Sequence, residues 1–324
     1  DLDAWRTEDK ATGGHIPAKT ITASEWNFAV GPGSELISRL ATLPNKLGDI
    51  ADIFVGLQTS ADDVFIFDYI GETAREIRLK SKALGREYSF EKGLLFPLVS
   101  GTDVSRYRNL ASRQFILFPY EVRDEKAALI PFNVLEKDFP RTASYLVENK
   151  ERLAGRENGK MRGHKWYGYI YLKNMTRQNL CKICVPRLVD ELCAAYDFDG
   201  THFLDNVDVG GVTLKPDYKQ QGLPYILALL NSKLLRWFFP NVSAPFRGGW
   251  YSANRQFLSR VPIRLINFSN PTDKACHGKM VAIVGQMLDL HKRVAAAKTD
   301  HERTLLERQI SATDHEIDQL VDEL

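Results

Sequence analysis

The stretch ADIFVGLQTSADDVFIFDYIGETAREIRLK (51–80) decides how the fold is read. It holds three short runs rich in Phe, Ile, Val and Tyr, at 51–58, 63–70 and 75–80, divided by Gly, Asp and Ser, which is the pattern of strands joined by turns. LLFPLV (94–99) and QFILFPY (114–120) continue it, and further strands are expected at 180–188 and 203–214. Helices interrupt the series at irregular intervals. In GPGSELISRL (31–40), Ser34 stands as an N-cap with Glu35 in the first turn, so a short helix follows. Pro140 opens a helix through RTASYLVENKERLAGR (141–156), with Tyr145, Leu146 and Leu153 on one face. PYILALLNSKLLRWFF (224–239) begins with Pro224 and is apolar nearly all round, so it is expected as a buried core helix. Strands and helices mixed without a regular βαβ beat predict an α+β fold with a mixed sheet.

The two ends read differently from this centre. Residues 1–25 are polar and patternless, begin without Met or an apolar signal core, and read as a connecting segment within a longer chain. After Pro271, Met280, Ile283, Met287, Leu290 and Val294 step by three and four. Leu306, Ile310, Ile317, Leu320 and Leu324 resume the spacing, with Thr313 in the missing place. Thr299 with Glu302 has the form of a capping box, so 270–324 is expected to be a small helical domain or antiparallel hairpin, its apolar stripe packed on the same chain.

Composition excludes several classes. At 44% hydrophobic and 26% charged over 324 residues, the chain is an ordinary globular one with material for a large core. It contains no apolar run of about 18 residues, so no membrane span is expected, and a bacterial or archaeal cytoplasmic location is. Four cysteines, at 181, 184, 193 and 276, are too few for a disulfide scaffold and fit a reducing compartment. Cys181 and Cys184 form a CxxC that Cys193 and His202 could complete as a zinc site. The pair lies in LCKICVPRL, however, which reads as a buried strand, and no second CxxC follows, so no metal is expected.

A search for catalytic motifs finds no complete centre. Gly31-Pro32-Gly33 has no third glycine to make a dinucleotide loop, and P-loop, HExxH and GxSxG patterns are absent. Asp138 with Glu148 and Lys150 could hold Mg²⁺ for a nuclease, but Glu148 and Lys150 fall on a surface helix where charges are ordinarily solvated. All fourteen prolines are isolated, so no Pro-Pro-aromatic motif of amino-group DNA methylases occurs. No catalytic residue is assigned.

Charge becomes informative by segment. The total of 43 Lys and Arg against 41 acids, a formal +2, singles out no partner. Residues 150–187 nonetheless carry ten Lys and Arg against two acids, a net of +8, interleaved with Trp166, Tyr167, Tyr169 and Tyr171. Residues 236–264 carry five Arg and no acid among Trp237, Phe246, Trp250 and Tyr251, whereas 298–324 has a net of −5. Cations that neutralise phosphates and aromatic faces that meet bases or sugars are the footprint of a nucleic-acid partner; solvated faces over core aromatics would give the same count. RENGKMRGHKWYGY (156–169) reads as an exposed loop able to follow a backbone, and FRGGWYS (246–252) as a turn where Gly248 and Gly249 admit close approach. Gln58 could pair with adenine in a major groove or cap a backbone turn.

These blocks, taken in order, resemble a known family. LGDIADIFVGLQTSADDVFIF (47–67), LLFPLVSGTDVSRY (94–107), FPY (118–120), FPRTASYLVENKERLAGR (139–156), KICVPRL (182–188), ILALLNSKLLRWFF (226–239), GGWYS with VPI (248–263) and QISATDHEIDQLVDEL (309–324) are similar to the C-terminal specificity region of adenine-specific DNA methyltransferases. The similar group is the TaqI-like methylases and the combined restriction-modification enzymes of bacteria. The resemblance implies a target-recognition domain over 26–266 and a helical domain over 270–324, clamped on double-stranded DNA opposite an upstream methylase domain to which 1–25 connects. In relatives that domain binds S-adenosylmethionine, flips the target adenine and methylates its amine. The cofactor and Asn-Pro-Pro-Tyr motifs are absent from this sequence, so it is expected to bind DNA with no cofactor of its own. S-adenosylmethionine would serve the parent, with Mg²⁺ if the parent also cuts.

On this reading Arg162, Lys165, Lys173, Arg177, Arg247 and Arg255 contact phosphates or bases, joined by Arg106. Trp166, Tyr167, Trp250 and Tyr251 supply wedge or stacking contacts. Gly248 and Gly249 admit the backbone, and Gln58, Thr59, Ser100 and Asp103 stand at loop ends near the groove. A separate specificity subunit that recruits a methylase through its C-terminal helices, and a metal-dependent nuclease, are the alternatives.

Overall fold

A computed structural model describes residues 33–324. The connecting segment expected over 1–25 and the start of the expected recognition domain lie outside the described residues. In chain order the strands are β1 Ala51–Val55, β2 Ile66–Glu72, β3 Glu76–Ser81, β4 Glu87–Glu91, β5 Leu95–Val99, β6 Gln114–Leu117, β7 Tyr120–Arg123, β8 Lys126–Leu129, β9 Lys182–Pro186, β10 Leu188–Val189, β11 Ala195–Asp197, β12 Phe203–Leu204, β13 Val209–Leu214 and β14 Tyr251–Ser252. The longer helices are α1 Ser34–Thr42, α2 Phe132–Asp138, α3 Pro140–Glu148, α4 Lys150–Ala154, α5 Leu223–Asn231, α6 Lys233–Phe238, α7 Pro271–Ala296 and α8 Asp300–Asp322. One sheet runs β12-β5-β6-β2-β3-β4, and a second runs β1-β13-β9-β11. Every pair is antiparallel except β12 with β5, so the fold is α+β with a mixed sheet.

The joint between the sheets is the segment expected as one strand over 203–214. Its first part, β12, adds to β5 of one sheet, and its second, β13, lies between β1 and β9 of the other. The break comes at Asp205, whose carboxylate accepts the backbone N–H groups of Val207 (2.8 Å) and Asp208 (3.2 Å) and so bends the chain. Gly56 passes against this joint. A Cβ there would stand 1.8 Å from the Leu204 carbonyl oxygen, and Leu57 N–H donates to that oxygen at 3.2 Å.

Other expected elements are subdivided for reasons local to each. Gly33, with φ of 98°, holds the N-cap of α1, and Ser34 is its first residue. The run 63–70 begins as a helical turn over Asp62–Phe65, because the Thr59 hydroxyl bonds Asp62 and Ala61 N–H and tightens the entry. The helix expected over 141–156 breaks at Asn149, whose amide donates back to Tyr145 O (2.9 Å). The helix expected over 224–239 breaks at Ser232, where ψ is 150°. There the buried Asn231 side chain exchanges two hydrogen bonds with the Ala194 backbone (2.8 and 3.0 Å), and the Ser232 hydroxyl caps α6 through Leu235 N. The β7–β8 hairpin turns on Asp124 and Glu125, both at positive φ, a two-residue turn without the usual glycine.

Two main cores result. One lies between the six-stranded sheet, α3 and the aromatic run Trp166, Tyr167 and Tyr169. The other gathers Ile53, Ile183, Val185 and Val212 from the four-stranded sheet, nearly all of α5, and Met280, Ile283, Val284, Met287, Ile317, Leu320 and Val321 from the α7–α8 hairpin. The hairpin stripe therefore packs on the same chain. Asn270 caps α7 through Thr272 and Asp273, and Thr299 caps α8 through Glu302, while the reciprocal Glu302 bond goes to Lys298 N–H instead of the cap residue. A small cluster of Phe54, Val99, Val104, Cys184, Ala195, Leu204 and Val209 fills the joint between the sheets.

Candidate nucleic-acid interface

The basic loop after α4 is launched by backbone geometry. Glu157, Asn158 and Gly159 lie in succession at φ of 46°, 60° and 84°, which turns the chain sharply away from the helix. Gly159 suits this turn because its φ of 84° lies in the left-handed region, and the Arg162 side chain folds across it. Arg162, His164 and Lys165 are exposed, and with Lys160 they line a pocket of about 540 Å³ walled by Tyr120, Ala127–Leu129, Gly168 and Tyr169. This is a cationic recess on an aromatic floor.

The return of the loop corrects the sequence reading. Trp166 is 7% and Tyr167 2% exposed, so neither has a face free to wedge or stack on a base. Trp166 packs on Phe132 (5.3 Å between centroids) with the Lys150 ammonium over its ring, and the Tyr167 hydroxyl donates to Ile130 O at 2.7 Å. They are the anchor that lets the preceding cations stand in solvent.

The second basic segment forms a hairpin tip. Phe246 N–H donates to Trp250 O (2.6 Å), Ser252 N–H donates to Ala244 O (3.0 Å), and Gly248 and Gly249 turn the chain at φ of 76° and 82°. The tip exposes Phe246 (61%), Arg247 and Trp250 (44%), while Tyr251 is half-buried and pairs with Val189 across β14 and β10. Trp250 lines a cleft of about 560 Å³ with Thr102, Arg187, Leu188, Val207 and Asp208. Arg187 also lines a smaller recess of about 210 Å³ with Val55 of β1 and the exposed Arg255.

The remaining expected residues divide into exposed and structural ones. Gln58 is exposed on the turn after β1, but Thr59 is wholly buried, its hydroxyl donating to Asp62 Oδ1 (2.5 Å), so it is corrected from a groove contact to a turn former. Ser100 and Asp103 cap each other's turn, with Asp103 Oδ2 accepting from Ser100 N (2.8 Å) and Oγ (2.9 Å), and the Gly101 and Thr102 between them line the Trp250 cleft. Arg106 is spent on an ion pair with Asp314 of α8 (2.5 Å), and Arg177 pairs with Asp52 at 3.1 Å and lies over Phe54. Lys173 is exposed beside Asn174, whose amide donates to Val55 O at 3.1 Å. The end of β1 is thus common ground: it carries Gln58, borders Arg187 and Arg255, and is tied to the turn bearing Lys173.

The metal and nuclease alternatives find little support in geometry. Cys184 is buried in β9, where desolvation pushes its thiol up to about 12, and Cys181 donates to Phe198 O (2.9 Å), so the CxxC does not converge on an ion. Among the described residues, Asp197, Asp199 and His202 bring three potential ligand atoms together. The Lys182 ammonium already occupies the Asp197 side of that group, at 2.5 Å from Oδ2, and His202 Nδ1 faces Oδ1 at 3.0 Å. Glu148 accepts hydrogen bonds from Arg86 and Tyr88, while Asp138 is exposed at the end of α2.

Arg187, Phe246, Val207, Lys160 and His164 belong to these surfaces but were not singled out from sequence. Arg187 and Lys160 were visible in the segment charge, and Phe246 in the aromatic count. Val207 carried no signal, because its 64% exposure follows from the bend at Asp205.

Comparison with known proteins agrees with this architecture. Over 312 residues the chain is 24% identical to the type II restriction enzyme and methyltransferase RM.Eco57I of Escherichia coli, a match covering 90% of this chain and 30% of that protein. It is 28% identical over 154 residues to the type II methyltransferase M.BanIII of Aneurinibacillus aneurinilyticus, covering 47% of this chain and 24% of the relative. The chain therefore spans less than a third of the length of either relative. Residues 96–263, from β5 through the hairpin tip and the turn that follows it, match the model of one family, and the chain belongs to it: the TaqI-like C-terminal specificity domains.

Proposed function

We propose that the chain is the double-stranded DNA recognition module of a restriction-modification adenine methyltransferase, holding a target adenine for S-adenosylmethionine-dependent transfer by a methylase domain upstream in the same protein. The observation that carries this reading is the set of exposed cations without an ion-pair partner among the described residues: Arg162 and Lys165 over the Tyr120 recess, Lys173 and Arg255 by the end of β1, and Arg247 on the hairpin tip with Phe246 and Trp250. Cations free of carboxylates can release counterions from a phosphate backbone, and exposed aromatic side chains beside them can enter a base step. On this reading the cofactor belongs to the methylase domain. A bacterial or archaeal cytoplasm is the matching compartment, and no helix among the described residues is long and apolar enough to cross a membrane. A separate specificity subunit is less favoured, because the α7–α8 stripe that would recruit a methylase is already buried against the chain's own sheet.

Fluorescence anisotropy with a labelled 30-bp duplex pool tests the reading. Affinity should fall steeply with salt, and Arg247→Ala should either lower the salt slope by about one unit, for a phosphate contact, or cost about 1–3 kcal/mol at one base position, for a guanine contact. Absence of duplex binding at low salt would falsify it.

A further inference from the structure

Beneath the basic loop lies an arginine turned away from solvent. Arg156 is 9% exposed and has no carboxylate partner among the described residues. Its guanidinium donates to four backbone carbonyls: Nε to Leu153 O (2.8 Å), one terminal nitrogen to Thr59 O (3.0 Å), and the other to Trp166 O (3.0 Å) and Gly168 O (2.7 Å). It lies over the Phe65 ring at 5.6 Å. Burial without a carboxylate at ion-pair distance is costly, and desolvation lowers the group below its ordinary pKa against the pull of nearby groups that include Glu157. A residue serving only to fill volume there would be neutral.

The four carbonyls belong to three pieces of chain that the sequence separates by up to about a hundred residues. Leu153 is the outgoing foot of the loop, Trp166 and Gly168 are its returning foot, and Thr59 is the turn that carries Gln58. One planar fork therefore closes the basic loop at its base and fastens it to the turn at the end of β1. A lysine ammonium, with three donors on one atom, cannot span carbonyls disposed along the edges of a guanidinium.

The structure assigns Arg156 the role of a positioning residue that joins the Gln58 turn and the Lys160–Lys165 loop into one DNA-reading unit. This deepens the DNA-recognition reading and rests on it. Gln58 and Arg162 sit on different loops, yet each is placed by the same guanidinium, so their contributions to duplex binding should be coupled through it.

A double-mutant cycle tests the assignment. A duplex enriched from a randomised 30-bp pool is titrated with the 324-residue chain carrying Gln58→Ala, Arg162→Ala or both, in the wild-type and the Arg156→Lys backgrounds. The two changes should depart from multiplicative effects by about threefold or more in the wild type and combine multiplicatively in Arg156→Lys, which keeps the charge and loses the fork. A residue with only a structural role would lower all affinities alike and leave the coupling unchanged, and that result overturns the assignment. So does a wild type that binds duplex with no coupling between Gln58 and Arg162. If far-UV circular dichroism shows that the lysine variant does not fold, Arg156→Gln, which keeps two donors, takes its place in the cycle. A wild type that binds no duplex removes the recognition reading itself, and this one with it.

Discussion

Two tryptophans in the basic segments invite one role and receive two. Trp166 is enclosed by Phe132, Tyr167 and Lys150, whereas Trp250 stands 44% exposed on a glycine turn. Trp166→Ala should therefore cost about 3–5 kcal/mol of stability by urea denaturation. Trp250→Ala should leave the urea midpoint within about 0.5 kcal/mol and instead weaken duplex binding by about 1–3 kcal/mol. Equal stability losses would mean that the two share one environment. Segment charge located the cations but could not tell these aromatics apart. The distinction depends on whether the chain returns to the sheet after the cations, as it does at Tyr167 and Tyr169, or turns back on glycines, as it does at Gly248. The same blindness applies to Thr59, which looks like a polar loop residue and is a buried turn former.

At the scale of elements, patterning located most strands and both long helical runs, and missed what interrupts them. Asn149 and Ser232 break helices by side-chain bonds to backbone, an energy of one or two hydrogen bonds that no periodicity records. β4 and the β7–β8 hairpin escaped because their charged residues and the Asp124-Glu125 turn lack the usual strand and turn signatures. The joint at 203–214 escaped because one apolar run serves two sheets. Its tightness yields a sharp expectation. Gly56→Ala should prevent the native packing of β12 on the β1 end, because the methyl would meet a backbone oxygen at 1.8 Å, and backbone cannot rotate away as a side chain can. Loss of cooperative thermal unfolding in Gly56→Ala checks this; a variant that melts like the wild type would show that the joint is loose.

For the whole molecule, the near-zero net charge conceals a division. Residues 150–187 and 236–264 are basic and 298–324 acidic, and the structure fastens α8 to the rest through Arg106–Asp314 and Lys279–Glu316. His291 lies at this seam in α7. Burial, and then the nearby Arg108 and Arg106, hold it below its ordinary 6.5, against the opposing pull of Asp314. The unfolded chain takes up this proton more readily than the folded one, so the contribution is complete above pH 6.5 and is lost as the pH falls through that value. The drop in urea midpoint between pH 7.5 and 5.5 should be smaller in His291→Gln, and an unchanged drop would assign the acid sensitivity elsewhere. The shared core of the four-stranded sheet and the α7–α8 hairpin carries a last consequence, for inheritance. When recognition specificity is exchanged between relatives, by recombination or by engineering, the four-stranded sheet and the α7–α8 hairpin must come from one parent for the product to keep this core. A graft ending at 266 leaves Met280, Met287 and Ile317 of one parent against the sheet of another, and specificity travels with its hairpin as a single cassette.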